Sequence, residues 1–242
     1  MDKSRTELLI GLDNLEKLEK SSVAVIGTGG VGGHTVMALA RAGVENLRLV
    51  DFDNVDPSNA NRQVVANEKT IGRAKVEVLK EMILLVNPSA NIEIFEERLE
   101  KGNISKLTDG CDIVVDAIDS IADKIELICY CKENNIPIIS AMGAGNRFDI
   151  PNFIVTDLYK THDDGLAKVL RKKLKERGVK KLDVVCSTSS PCRKGKPVAS
   201  ISYYPAVCGN VIAGVIVNKI IKGDLWKLLK KKILMKRLSL EE

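Results

Sequence analysis

Apolar runs and polar breaks divide the chain into alternating short strands and longer helices. Residues 5–20 follow helical spacing, with Gly11 as a break. "VAVIG" (23–27) is β-branched, continuous and too short for a helix, so it reads as a buried strand. A helical pattern runs from Val31 to Ala42, and Gly43 stands where a C-terminal cap glycine belongs. Next come a strand at 46–51, a loop rich in turn formers at 56–63, and an amphipathic helix at 69–86 stopped by Asn87-Pro88. A strand at 91–97, an apolar strand at 112–119 ending in carboxylates, a helix at 122–134 and a strand at 136–141 complete this half. Strand and helix alternate at least four times, which predicts an α/β, Rossmann-like, doubly wound and mainly parallel sheet. After Gly145 the rhythm changes. A strand at 153–158, a strongly basic helix with its tail at 163–181, a strand at 198–204 and helices at 206–222 and 224–237 are expected. No repeat or low-complexity linker interrupts the chain. The expectation is one domain over 1–242, with a core at 21–145 and an extended C-terminal half at 146–242.

Composition narrows the class. At 242 residues, 45% hydrophobic and 29% charged, the chain fits a soluble globular protein, and its net charge of +5 is mild. Charge runs throughout residues 1–20, so no secretory leader is expected. The apolar stretch 206–221 contains Asn210, Asn218 and Lys219 and reads as a buried helix rather than a membrane span. Six cysteines without a leader suit a reducing cytoplasm, with peripheral membrane association left open. Cys129 and Cys131 are one residue apart, and Cys186 and Cys192 five apart, so there is no C-x-x-C pair and no zinc is expected.

The candidate chemistry begins at Gly27, Gly29 and Gly32, a G-x-G-x-x-G motif between a strand and a helix. The first glycine permits a tight turn, the second lets phosphate approach bare backbone, and the third allows close helix–strand packing. Asp51 ends the next strand, near the spacing expected of a ribose-binding acid. The motif alone does not separate a hydride carrier from ATP. A triphosphate needs more positive charge and a divalent metal. Candidates are Asn59, Arg62 and Gln63 in the loop after the second strand, Lys75 in the following helix, and Asp119 past the fourth strand, where it would hold Mg²⁺. Each has a plainer reading: Arg62 as a solvated loop charge, Lys75 on a polar helix face, Asp119 as the cap of the helix beginning near Ile121.

"GTGGVG" (27–32), "LVDFDNVDPSNANRQ" (49–63), "IGRAKVE" (71–77), "VNPSANIEI" (86–94) and "VVDAIDS" (114–120) occur in the order and approximate spacing of the E1-like adenylating family. The chain resembles that family, densely over 1–145. "RTELLIG" (5–11) and "YCKENNIPIISAMGAG" (130–145) look most like its bacterial branch that acts on tRNA. The resemblance implies that Gly27, Gly29, Gly30 and Gly32 form the phosphate loop and that Asp51 holds the ribose. It implies that Asn59, Arg62 and Lys75 contact the triphosphate, that Asp119 serves Mg²⁺, and that Arg5 reaches a partner subunit's ATP site. It also implies a homodimer, for which the apolar C-terminal segments are a candidate interface. The implied reaction is ATP-dependent activation of the threonyl carboxylate of N6-threonylcarbamoyladenosine, which lies next to the anticodon of tRNA, followed by intramolecular ring closure. Such a closure needs no enzyme nucleophile, and no cysteine is assigned one.

A tRNA substrate asks for positive surface. The stretch 168–181 supplies Arg171, Lys172, Lys173, Lys175 and Arg177, and 227–237 is a second basic run. The plainer reading is a pair of solvated helix faces. Aromatic residues make up only 4%, so a broad stacking platform is not expected. No DNA partner is expected, and a sulfur-transfer partner protein is left open. Three other classes compete: an adenylyltransferase for the C-terminus of a ubiquitin-like sulfur carrier, disfavoured by the missing cysteine pairs; an NAD-dependent oxidoreductase, disfavoured by Arg62, Lys75 and Asp119 together; and a nucleotide-regulated binding protein.

Overall fold

The computed structural model describes residues 1–193 and 195–222. Seven strands, β1 (Ser22–Ile26), β2 (Asn46–Val50), β3 (Asn91–Phe95), β4 (Ile113–Asp116), β5 (Ile138–Ala141), β6 (Phe153–Asp157) and β7 (Asp183–Ser187), make one sheet in the order β3-β2-β1-β4-β5-β7-β6. Every neighbouring pair is parallel except β6 with β7. The order reverses direction between β1 and β4, which opens a crevice at the carboxyl ends of those strands.

Eight helices accompany the described strands: α1 (Ser4–Ile10), α2 (Leu12–Lys20), α3 (Gly32–Ala42), α4 (Lys75–Val86), α5 (Ile104–Thr108), α6 (Ile121–Glu133), α7 (Gly165–Glu176) and α8 (Tyr203–Lys222). The strands are apolar on both faces, as a parallel sheet covered on both sides requires. Val23, Val25, Leu47 and Leu49 face α3, α4 and α8, whereas Ala24, Ile26, Val50 and Val114 face α5, α6 and α7. The 206–222 segment is helical as expected and begins three residues earlier. It is long and apolar enough to cross a membrane, but Tyr204, Cys208, Ile212 and Ile216 bury one of its faces. Gly209 lets α8 cross α3 closely: a Cβ there would stand 2.5 Å from the Val31 carbonyl oxygen, and the Thr35 hydroxyl donates to the Gly209 carbonyl at 3.1 Å.

Several boundaries move. The helix expected over 69–86 begins at Lys75. Before it, Thr70 donates to the Val65 carbonyl at 2.6 Å, Gly72 donates to Val55, and Gly72 takes a left-handed φ of 83°, so the segment folds back as turns. The strand expected over 112–119 ends at Asp116, the last residue in register with β1 and β5. The strand expected over 198–204 is absent: Tyr203 and Tyr204 belong to α8, whose first turn accommodates Pro205 without needing its missing N–H. The basic helix spans Gly165–Glu176, capped by the Asp164 carboxylate at one end and followed by Gly178 at a φ of 77°. Strand β7 and helix α5 were not anticipated. The helix expected over 224–237 lies outside the described residues.

Candidate nucleotide site

The glycine loop leaves β1 and enters α3 at the crevice. Gly27 has a φ of 88°, and a Cβ on it would lie 2.8 Å from the Ala117 carbonyl oxygen, so the loops after β1 and β4 run shoulder to shoulder. A Cβ on Gly32 would come 1.8 Å from the Gly27 carbonyl oxygen, which makes glycine obligatory for this strand-to-helix turn. Gly29 is open by contrast: its nearest neighbour to a Cβ would be the Gln63 side-chain nitrogen at 3.7 Å. Gly30 faces Pro205 of α8 and the Arg62 side chain. The glycines thus divide into two, Gly27 and Gly32, where a Cβ would strike backbone, and two, Gly29 and Gly30, where it would meet only side chains.

A chain of hydrogen bonds leads outward from this loop. The Thr28 N–H and hydroxyl donate to Asp51 Oδ2 at 2.7 and 3.0 Å, and the Asp53 N–H donates to Asp51 Oδ1 at 3.0 Å. Asp53 in turn accepts from Lys75 Nζ at 2.7 Å. Lys75, the first residue of α4, is 5% exposed: instead of standing on a polar helix face it is buried and paired with Asp53. Asn59 is buried in a reciprocal cap with Asp56. Arg62 donates to the Ser58 carbonyl and the Asn61 side chain and remains half-buried beside Gly30. Gln63 is buried, and its side-chain oxygen has no partner among the described residues. His34 of α3 bonds to the Arg62 backbone, and burial pushes its pKa below the usual histidine value.

Asp119 is exposed at the crevice rim. It does not cap α6, because the Ser120 hydroxyl accepts from the Asp123 N–H in that role. The acid that ends β4 is Asp116, which is wholly buried and ion-paired with Lys124 at 2.7 Å on the α6 side of the sheet. Asp116 also accepts from the Ile118 N–H at 3.3 Å and so holds the loop that carries Asp119. Sequence reasoning missed this pair. Its signal was an acid closing an apolar run with a lysine on the helix that follows. A second missed pair is Arg147 and Asp164, both buried. Arg147 donates to the carbonyls of Gly143, Gly145 and Ser189, and Asp164 accepts from the Gly143 N–H, joining the loops after β5 and β7 to the start of α7.

The other expected positions fall elsewhere. Arg5 is exposed on α1, a helix with no buried residue. On α7, Lys172, Lys173 and Lys175 are exposed. Arg171 instead donates to Thr161, and Arg177 makes a two-pronged pair with Glu126 at 2.8 and 3.3 Å, because both guanidiniums meet acceptors on neighbouring segments. Burial pushes the thiols of Cys131 and Cys208 up to about 12 and that of Cys186 to about 11, so these three are poor nucleophiles. Cys192 is exposed. Among the described residues, no three metal-ligating side chains of His, Cys, Asp or Glu gather.

Comparison with known proteins adds a second line. The ThiF family model matches residues 3–237. The chain is 39% identical over 249 residues to a Bacillus subtilis tRNA threonylcarbamoyladenosine dehydratase, covering 95% of this chain and 98% of that one. Against the Escherichia coli protein of the same name, identity is 39% over 171 residues, which span only 64% of that relative. The crystal structure of that E. coli protein with AMP superimposes with a TM-score of 0.86 at 34% identity, over 90% of this chain and 93% of the other; its ATP complex gives 0.85. A Haemophilus influenzae molybdopterin-synthase adenylyltransferase is more distant, 32% identical over 67% of this chain and 67% of its own length.

Proposed function

The chain belongs to the ThiF family, and from that premise we propose that it is an ATP-dependent tRNA threonylcarbamoyladenosine dehydratase. The observation that carries the reading is the hydrogen-bonded chain Thr28–Asp51–Asp53–Lys75 beside Gly29, Arg62 and Gln63 at the reversal point of the sheet. Two cations, Arg62 and the Asp53-paired Lys75, together with the open backbone at Gly29, support a triphosphate as the ligand. A hydride carrier has no use for that much positive charge.

The chemistry follows from the substrate. A carboxylate is a poor acyl donor because oxide is a poor leaving group. Its oxygen attacks the α-phosphorus of ATP, the bond to the β-phosphate oxygen breaks, and pyrophosphate leaves. Arg62 and Lys75 stabilise the charge that accumulates on the phosphoryl oxygens. Asp51 receives the ribose while fixing the glycine loop through Thr28. A nucleophilic atom of the same modification then attacks the activated carbonyl carbon, loses its proton and expels AMP, which closes the ring with net loss of water. Because this step is intramolecular, no protein nucleophile is required. An exposed carboxylate with no partner among the described residues is a suitable hard-oxygen ligand, so Asp119 would hold Mg²⁺. The ion would neutralise triphosphate charge.

In this reading residues 1–242 form one domain. Segment 21–145 binds nucleotide, and 146–242 supplies substrate binding and dimer contacts. Arg5 reaches the second subunit of a homodimer, and the enzyme acts in the cytoplasm, with or without a sulfur-transfer partner. The test is ATP–pyrophosphate exchange with N6-threonylcarbamoyladenosine-bearing tRNA, followed by mass spectrometry of its nucleosides. Substrate-dependent exchange and a product lighter by one water are expected. Exchange driven instead by the C-terminus of a ubiquitin-like carrier protein would replace this reading.

A further inference from the structure

Beside the crevice, the loops after β5 and β7 enclose a second concavity. A cavity of about 330 Å³ is lined by Arg147, Phe148, Asp149, Ser189, Ser190 and Cys192. Its volume lies in the range of small-ligand pockets. Phe148 is 66% exposed, so its ring face is open to a ligand. Its loop is well anchored. Asn146 exchanges backbone hydrogen bonds with Ala199 and Cys192, and the Tyr203 hydroxyl donates to the Phe148 carbonyl. Arg147 is spent on backbone carbonyls and forms a wall. The Asp149 carboxylate and the Ser190 hydroxyl, both exposed, have no hydrogen-bond partner among the described residues. Arg193 and Lys196 are exposed on the same loop.

The concavity also adjoins the nucleotide site. Asn61, next to Arg62, donates to the Ser200 carbonyl at 3.1 Å. Pro205, two residues beyond Tyr203, packs on Gly30. A flat apolar ring, an acceptor, a hydroxyl and two flanking cations are the elements of recognition for an unpaired base and its phosphates: stacking on the face, hydrogen bonds at the edge, charge on the backbone. An apolar protein partner would leave Asp149 buried without a donor.

We propose that Phe148, Asp149 and Ser190 form a pocket for one unpaired nucleobase of the tRNA anticodon loop, with Phe148 stacked on its face and Asp149 accepting from an N–H at its edge. The inference rests on the tRNA reading above and adds the place where the loop is held. Arg193 and Lys196 contact the adjoining phosphates. The pocket orients the loop so that the modified adenosine reaches the crevice past Tyr203 and Pro205.

The test uses the full chain and a synthetic anticodon stem-loop carrying 2-aminopurine at an unpaired position. Stacking on Phe148 should quench the probe. Phe148→Ala should abolish the quench and weaken stem-loop binding by roughly tenfold, while ATP affinity stays within about twofold. Phe148→Trp should restore binding, and Asp149→Ala should weaken it with ATP affinity again unchanged. Wild-type stem-loop affinity in Phe148→Ala would overturn the pocket. So would a shift of that variant from dimer to monomer in sedimentation, which would assign the ring to a second copy of the chain. If the wild-type protein binds no stem-loop and cyclises none, the tRNA reading itself falls. Normal turnover by the wild type with an unaffected Phe148→Ala variant removes only the pocket.

Discussion

Lys75 and Lys124 look alike in the sequence: each follows a strand that ends in acid, and each proves to be a buried lysine paired at 2.7 Å. Their partners differ. Asp53 is half in solvent, whereas Asp116 is wholly buried. Lys75→Ala therefore leaves a carboxylate that water can solvate, and the fold should survive while turnover falls about 10²- to 10³-fold, the typical cost of one lost charge-stabilising donor. Arg62→Ala should behave in the same way. Pyrophosphate exchange read beside thermal unfolding checks both; unfolding of Lys75→Ala at ordinary temperature would make that lysine structural. Lys124→Met leaves Asp116 buried and unpaired, so about 3–5 kcal/mol of stability should go, measured by denaturant titration. Asp119→Asn should raise the Mg²⁺ concentration needed for half-maximal activity more than it raises the KM for ATP. Unchanged Mg²⁺ curves would leave Asp119 as a plain rim charge. That the glycine loop, Arg62 and Lys75 would lie together was legible because nucleotide chemistry calls for those residue types at fixed spacing. The Asp53 and Asp116 pairings were not, because a side chain's depth depends on where neighbouring strands stop.

At the scale of elements, the strand-then-helix rhythm was readable through β5 because each parallel strand is a short apolar run followed by a helical stripe. It failed where tertiary contacts override local pattern. Residues 69–74 carry helical spacing, yet Thr70 and Gly72 bond back to Val65 and Val55 instead. "VASISYY" has strand composition, but no sheet edge accepts it, and its two tyrosines start α8. Strand β7 was hidden because its five residues are all buried between β5 and β6 and abut a loop rich in turn formers. The glycine loop illustrates what an element adds to a motif, since its four glycines are not equivalent. Gly32→Ala would force a Cβ to 1.8 Å from a backbone oxygen, and the turn would have to rebuild. Gly29→Ala meets only the end of Gln63 at 3.7 Å. The expected outcome is a lowered melting temperature for Gly32→Ala, against an unchanged melting temperature with a raised KM for ATP in Gly29→Ala. Equal loss of stability in the two variants would show that Gly29 is also a folding glycine and has no special place at the phosphate.

At the scale of the molecule, the net charge of +5 is too small to attract a polyanion unless it is concentrated. Helix α7 is the described element that concentrates it. Its N-terminus is held at the site edge by Asp164, which accepts from the Gly143 N–H, and its buried stripe Ala167, Leu170 and Leu174 packs it on the α6 side of the sheet. Lys172, Lys173 and Lys175 are left in solvent, while Arg171 and Arg177 are engaged by Thr161 and Glu126. The structure thus splits a run of five cations: Lys172, Lys173 and Lys175 are exposed, with only Lys173 near an acid, the exposed Glu176 at 4.0 Å, whereas the two arginines are already used. Reversal of Lys172, Lys173 and Lys175 to Glu should weaken tRNA binding and flatten the slope of log affinity against log salt by about 2–3, since each lost phosphate contact releases roughly one fewer counterion. ATP affinity should hold, because the glycine loop lies across the sheet from this helix face. Reversal of Arg177 alone should act differently: it sets a second acid against Glu126 and should lower the melting temperature with little change in the salt slope. If the triple variant binds tRNA with the wild-type slope, α7 is a solvated face, and the phosphates must be met by the loops around Phe148 or by segments beyond residue 222.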